Sequence, residues 1–416
     1  MANSRLRVLV VSDMTPLPIT GGGERALWEM ASGLAGRGHR VTVIGRAGLG
    51  GSRQRAIGDG ITIHPYEVDR RSPLRFLRTS IFSPGRLAAM LIQSDGADVL
   101  HVHQPLSGYG VLHSREAGQV PSLYTLHSPA PMEYRSRVGT SPNHKGGIAG
   151  ALGAGTLKFL EGACLRKTRR IHVLSDYTAR LARELYHVAS NRVVKIPGGA
   201  DLRRFHPAGD RACVRRELGL PEAGGLLLTV RNLEPRMGLD HLVHAFKALS
   251  RRRPGVALVV GGEGPLRGQL ESLVRTLGLG SRVRFVGFIP DEELPRYYQA
   301  ADLFILPSVQ LEGFGLVTVE SLACGTPVLG SRVGATPEIL GPLDPGLILW
   351  DHAPDLFADD LDRFLDKMER SPEEIETLRA RCATHARRHY SWEESIGRLE
   401  EDLFDLAAAP KAAAMR

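Results

Sequence analysis

A chain of 416 residues, 43% hydrophobic and 24% charged, has the composition of an ordinary globular protein with room for two or three buried cores. No apolar run approaches the roughly 20 residues that span a bilayer, and the four cysteines show neither metal-ligand spacing nor a disulfide framework. The net charge of +8, carried mostly by arginine, favours anionic ligands or surfaces. Nucleic acid ranks last among these, because the arginines are dispersed and no aromatic stacking platform accompanies them.

The first apolar strand is expected over Arg5–Ser12, too short and too early for a signal-peptide core. A loop from Pro16 to Glu24 follows, with Gly21, Gly22 and Gly23 in succession. Leu27, Met30, Ala31 and Leu34 then fall at helical spacing, ending at Gly36 and Gly38, and Val41–Ile44 reads as the next strand. Strand, glycine loop, helix and strand open a Rossmann-like unit, but without the G-x-G-x-x-G fingerprint of an NAD site. Further strands are expected at Ile61–Ile63, Val99–Val102, Leu123–Leu126, His172–Leu174 and Val193–Ile196, with helical crossovers between most of them, as in a parallel sheet.

Three histidines stand at strand ends: His101, His103 and His127. Ligands of open α/β sheets bind beyond the carboxyl ends of the strands, so His103 and His127 are site candidates, whereas His101 is assigned to satisfying a backbone group. No thiol or carboxylate accompanies them at ligand spacing, so no zinc is expected. Arg71, Arg75 and Arg78 fall on one helical face and Leu74, Leu77 and Ile81 on another. The default reading is a solvated face; the functional one is weak contact with an anionic membrane or a phosphorylated acceptor. Ser128–Gly155, rich in Pro and Gly and carrying Arg135, Arg137 and Lys145, reads as a long loop, of a length that is often functional or mobile.

The polar stretch from Pro207 to Gly225 reads as an interdomain crossing, giving an N-terminal domain over 1–206 and a second over 207–390. The second half starts afresh with strands at Leu226–Val230, Ala257–Val260, Val283–Val286 and Leu303–Leu306. Asp359-Asp360-Leu361-Asp362 contains an Asp-x-Asp but stands away from any glycine loop, and is expected to be a solvated helix start. The chemistry concentrates in Pro307–Leu340. There a loop carrying Glu312 and glycines 313 and 315 runs into a helix that Gly325 stops. Such a loop leaves unpaired N–H groups at a helix N-terminus, which suits phosphate. Glu312 and Glu320 lie on the order of 10 Å apart at ~1.5 Å rise per residue. Ionised carboxylates accept hydroxyl donors, so the spacing matches a sugar nucleotide, with sugar and ribose hydroxyls flanking a diphosphate.

The string EGFGLVTVESLACGTPV resembles the donor-site signature of retaining GT-B glycosyltransferases of family four. VLSDYTARLARELYHVASNRVVKIPGGADLRRFHP resembles the end of that family's first domain, with Gly198 where asparagine is usual, and YSWE at 390–393 resembles the start of its last helix. VRNLEPRMG resembles its donor-phosphate motif: Arg231 matches the arginine, Met237 stands where lysine is usual, and Arg236 is expected to substitute.

The resemblance implies an α/β protein of GT-B fold, two Rossmann-like parallel-sheet domains facing across a cleft, with a helix at about 391–407 packing back on the first domain. It implies a hexosyltransferase moving a sugar with retention from a nucleoside diphosphate sugar, UDP before GDP. The acceptor would be a hydroxyl or amine of a small-molecule, glycan or lipid-linked compound. His127, Arg231 and Glu312 would act in catalysis. The donor would meet Gly22, Gly23, Arg231, Arg236, Glu263, Ile289, Gly313, Phe314, Gly315, Leu316, Val317 and Glu320. Gly21, His103 and His127 would face the acceptor. No cofactor or metal is expected. The location would be cytoplasmic, with peripheral contact at the inner membrane face through Arg71–Arg78. A sugar-nucleotide epimerase and a non-catalytic binding partner remain as alternatives, the latter resting on Met237.

Overall fold

The computed structural model describes residues 5–14, 17, 19, 21–48, 55–57, 60–138 and 147–409. These form two compact units, Met1–Pro197 with Trp392–Arg416, and Gly198–Ser391.

In the first unit the strands are β1 (Arg7–Val11), β2 (Arg40–Arg46), β3 (Arg55–Ile57), β4 (Ile61–Tyr66), β5 (Val99–Val102), β6 (Ser122–Leu126), β7 (Arg170–Val173) and β8 (Val193–Lys195). Their order is β3-β4-β2-β1-β5-β6-β7-β8. All pairs are parallel except β3 with β4. The central strands are near-continuous apolar runs because helices cover both of their faces. The helices are α1 (Gly22–Gly36), α2 (Pro73–Ser94), α3 (Pro105–Leu112), α4 (Ala130–Val138), α5 (Ile148–Lys167) and α6 (Asp176–Tyr186).

One core joins Leu100, Val102, Tyr124 and Ile171 of the sheet to Ala88 of α2, Val111 of α3, Cys164 of α5 and Ala182 of α6, which places these four helices on one face. Strand alternation sends His101, Thr125 and His172 to the other face. The Ser72 hydroxyl accepts from Arg75 N–H at 3.3 Å, capping α2, and Pro73 pre-sets its first turn. α2 and α3 touch backbone to backbone: a Cβ on Gly110 would lie 1.8 Å from the Ile81 carbonyl oxygen.

The second unit holds β9 (Leu226–Val230), β10 (Ala257–Gly261), β11 (Val283–Gly287), β12 (Leu303–Leu306) and β13 (Val328–Gly330), all parallel, in the order β11-β10-β9-β12-β13. Around them lie α7 (Arg211–Glu217), α8 (Leu239–Arg252), α9 (Arg267–Thr276) and α10 (Leu294–Ala300). α11 (Leu316–Ala323), α12 (Thr336–Leu340), α13 (Pro354–Arg370) and α14 (Pro372–His389) follow. The final helix, α15 (Trp392–Ala408), belongs to the first unit, where Glu400 meets Arg37 at 2.9 Å and His39 at 2.8 Å.

Three expectations change here. The division falls at Pro197–Gly198 and not at 206, because Ala200 bridges to Ser391 and its N–H donates to the Tyr390 carbonyl at 2.8 Å. Ser128–Gly155 is not one loop: it contains α4 and the start of α5, while 139–146, with Lys145, lie outside the described residues. The Asp359–Asp362 run lies inside α13 and is not a solvated helix start. Asp359 pairs with Arg252 and Asp362 with Arg253, and buried Asp360 accepts from Trp350 N–H at 2.8 Å. Among the described residues no helix is long and apolar enough to cross a membrane.

Candidate active site

In the second unit β9 delivers Arg231 and β12 delivers Ser308 beyond their carboxyl ends. Gly238, at φ +66°, turns the chain into α8 so close to β12 that a Cβ would lie 2.1 Å from the Pro307 carbonyl oxygen. The loop after Ser308 passes through Leu311, a non-glycine residue at φ +58°, a conformation that costs energy in a branched side chain and aims Glu312 inward. Gly315, at φ +86°, then starts α11.

These turns assemble a buried cluster. Arg231 Nη2 donates to Glu312 Oε2 at 2.7 Å, to Ser308 Oγ at 3.2 Å and to the Met237 sulfur at 2.7 Å, while Ser308 Oγ donates to Glu312 Oε2 at 2.7 Å. Burial works to raise the Glu312 pKa, but the Arg231 charge and the Ser308 hydroxyl outweigh it and hold the carboxyl below its ordinary range. Glu312 is therefore ionised at neutral pH. Arg236 reaches the same loop separately, donating from Nη1 to the Leu311 carbonyl at 3.0 Å. Arg231 Nε is buried without a hydrogen-bond partner among the described residues. Ser308 escaped the sequence reading; its place just past a strand end was the available signal.

The other donor candidates of this unit are spread around the cluster. Glu320 is 1% exposed on α11 and accepts from the Tyr298 hydroxyl at 3.0 Å. Gly313 precedes the helix, and the amides of Leu316 and Val317 belong to its first turn, where N–H groups lack intrahelical partners. Phe314 is buried with its ring 5.8 Å from that of Tyr390. Ile289 packs on Gly261, whose Cβ position would lie 2.5 Å from its Cδ1. Glu263 is exposed and paired with Arg267 at 2.5 Å.

In the first unit His103 Nδ1 and His127 Nε2 lie 2.9 Å apart. Against the expectation of a backbone partner, His101 is held by a side chain: its Nε2 meets Thr125 Oγ1 at 2.7 Å. Thr125 in turn meets His172 Nδ1 at 3.0 Å, and His172 Nε2 meets the Ile196 carbonyl at 2.9 Å. A carbonyl can only accept, so His172 carries its proton on Nε2, Thr125 donates to His172, and His101 donates to Thr125. Burial, with the neighbouring imidazoles, pushes His127 down to about 3 and takes His101 and His103 well below the ordinary value; burial pushes His172 to about 4. All four rings are neutral at pH 7.

The glycines behave differently from a free loop. Gly21 is the N-cap of α1, and Gly22 and Gly23 are its first turn. A Cβ on Gly22 would meet nothing within 4 Å. Pro16, Pro18 and Thr20 lie outside the described residues. Asp13, just past β1, was not foreseen: it accepts from Ser107 N–H at 2.6 Å and Leu106 N–H at 2.9 Å, tying the strand to the first turn of α3. Arg71 precedes α2 and pairs with Asp69 at 2.7 Å, so it shares no helical face with Arg75 and Arg78. Among the described residues no group of three or more His, Cys, Asp or Glu is placed to hold a metal.

Strand-end loops feeding a buried Arg–Glu pair beside a helix N-terminus, in one of two parallel-sheet α/β units, suit a GT-B glycosyltransferase. The comparisons agree. Residues 20–204 match the family model for Glycosyltransferase Family 4 and residues 210–389 that for glycosyl transferases group 1. This chain belongs to the family-four GT-B glycosyltransferases. It is 32% identical to the D-inositol 3-phosphate glycosyltransferase of Nocardiopsis dassonvillei, over 84% of this chain and 79% of that one. It is 31% identical to D-inositol 3-phosphate glycosyltransferase 1 of Catenulispora acidiphila, over 94% of each. Among solved structures, sucrose-phosphate synthase from Thermosynechococcus elongatus has a TM-score of 0.81 at 24% identity, covering 96% of this chain and 100% of that one. Anabaena Alr3699/HepE, solved in complex with UDP-glucose, has a TM-score of 0.72 at 19% identity, covering 96% and 100%.

Proposed function

We propose that this chain is a retaining, metal-independent glycosyltransferase that takes a sugar from a UDP-sugar and delivers it to a hydroxyl or amine. The observation that carries the reading is the buried Arg231–Glu312–Ser308 cluster, set at the carboxyl ends of β9 and β12 and next to the N-terminus of α11. Cleaving the donor builds negative charge on the departing diphosphate. Arg231, through its unpartnered Nε, and Arg236 supply fixed positive charge, and the Leu316 and Val317 amides supply oriented donors. Ionised Glu312 accepts from sugar hydroxyls, and Glu320 from the ribose. The UDP-glucose complex of a structural neighbour supports a uridine donor. On the first unit Gly21, Gly22 and Gly23 approach the ligands, and neutral His127, steadied by His103, faces the acceptor. Cys164, Cys213, Cys324 and Cys382 are all free thiols, which suits a cytoplasmic enzyme.

The names of the relatives make inositol 3-phosphate the first acceptor to try. The test is a matrix of UDP- and GDP-sugars against this and other small-molecule, glycan and lipid-linked acceptors, with and without EDTA. Proton coupling at the product's anomeric centre reads the stereochemistry. The expected result is a product of retained configuration from a UDP-sugar in EDTA. An inverted product, transfer from GDP-sugars alone, or strict dependence on added magnesium or manganese would each overturn that part of the reading.

A further inference from the structure

Glu161 is the single acid of α5, and it is 2% exposed. Its carboxylate collects donors from three other elements. The Tyr124 hydroxyl of β6 donates to Oε1 at 3.0 Å, and the Ala130 N–H at the start of α4 donates to Oε2 at 2.9 Å. The Tyr186 hydroxyl, at the end of α6, also donates to Oε2. The first two donors bracket the histidine edge. Tyr124 lies three residues before His127 and Ala130 three residues after it, so one buried side chain grips both the strand end and the turn beyond it.

The proposed transfer chemistry does not use this carboxylate, and no cation is paired with it among the described residues. Burial, joined by the like charge of Glu133 on α4, pushes Glu161 up to about 7 against the pull of its three donors. The other titratable groups around it are Tyr124, Tyr186 and Cys164. Burial raises all three, so they stay neutral near pH 7. α3, which also packs on α5, carries no charged residue. Oε2 already serves two donors, and the Ala130 N–H can only donate. A proton arriving near neutral pH therefore goes to Oε1, where it displaces the Tyr124 hydrogen and loosens the grip ahead of His127.

We propose that Glu161 is a positioning residue for His127, holding that imidazole in place by gripping the chain on either side of it. The proposal rests on the reading that His127 faces the acceptor, and it adds what fixes the ring there. Glu161 acts through the backbone of residues 125–129, not on the ring itself. A carboxylate that served only to fill the core would leave His127 indifferent to its charge. One that positions His127 makes its own protonation felt at that ring.

The test follows the His127 ring signals by NMR across neutral pH, in the full chain carrying isotope-labelled histidine. Their loss in His127→Asn assigns them. Burial, with the His172 imidazole nearby, holds His127 at about 3, and His101, His103 and His172 also lie below the neutral range. A step near pH 7 therefore reports a neighbour, and Asp13, raised by burial too, is the competing source. The natural chain should show that step. Glu161→Gln presents an amide N–H where the protonated acid would present its proton, so it should keep the low-pH signal throughout. It should also lower kcat by on the order of tenfold, a level the natural chain approaches as pH falls through the step. Tyr186→Phe removes a donor to the charged form and should move the step to higher pH, which keeps the proposal testable where circular dichroism finds Glu161→Gln unfolded. No step in the natural chain, a step that survives Glu161→Gln, or one that Tyr186→Phe leaves in place would overturn the proposal. A Glu161-dependent step, in a protein whose His127→Asn variant transfers sugar at the natural rate, would uphold the grip and overturn the acceptor-facing reading of His127 instead.

Discussion

Arg231 and Glu312 form an ion pair at 2.7 Å with both side chains less than a tenth exposed, so the main cation of the proposed donor site is already tied to its main anion. Removing one member leaves a buried uncompensated charge, at a typical cost of ~3–5 kcal/mol. Arg231→Ala should therefore lower the melting temperature as well as lowering kcat by ~10²-fold or more. Arg231→Met with Glu312→Gln should recover the melting temperature but not kcat. Recovery of both would show that the pair serves only the fold.

Met237 is buried with its sulfur against Arg231, so Met237→Lys places an ammonium beside a guanidinium. The variant should melt lower than the natural chain and, on the proposed donor site, should regain stability on adding UDP, whose diphosphate would meet both cations. Arg236→Ala should lower transfer, and Met237→Lys in that background should partly restore it. A harmless Arg236→Ala, together with a large gain from Met237→Lys alone, would show that Arg236 does not fill the missing lysine's role.

Glu320→Ala would remove the acceptor for the buried Tyr298 hydroxyl as well as the proposed ribose contact. Glu320→Gln and Tyr298→Phe separate the two effects. Each should cost about 1–3 kcal/mol of stability at most, but only the Glu320 variant should weaken UDP binding by calorimetry. Equal affinities in both variants would place Glu320 in the fold and outside the site.

The pH dependence of the first unit has a definite sign. His172 is pushed down to about 4 in the folded state from an ordinary 6.5, so the unfolded chain binds the extra proton first. Its contribution is fully present above pH 6.5 and is lost as pH falls towards 4, on the order of 3 kcal/mol across that window. His172→Gln should flatten the fall of melting temperature with acid over that range. An unchanged slope would move the acid sensitivity elsewhere.

The parallel strands were legible because their apolar runs exceed what turns or surface helices carry. β3 was not, since Arg-Ala-Ile is too short for any period to register. Three glycines hid the start of α1, and Pro-Gly composition hid α4 and α5, because tertiary packing overrides weak propensity. Arg231, Arg236 and Glu312 could be picked out by motif, yet their arrangement depends on turns such as that at Leu311, whose φ no pattern reveals. The His101–Thr125–His172 ladder exists only through the register of β5, β6 and β7. Likewise, Asp359 and Asp362 looked solvated because their arginine partners lie more than a hundred positions earlier in the chain.

The backbone contact of α2 with α3 has a mechanical consequence. Where Gly110 meets Ile81 there is no side chain to reorient, so the two helices cannot slide or part in small steps. The far end of that stiff pair is clamped by the Asp13 carboxylate to the strand edge where His103 and His127 stand. A Cβ at Gly85 or Gly110 would overlap the facing backbone, so either substitution has to part the two helices and should lower the melting temperature.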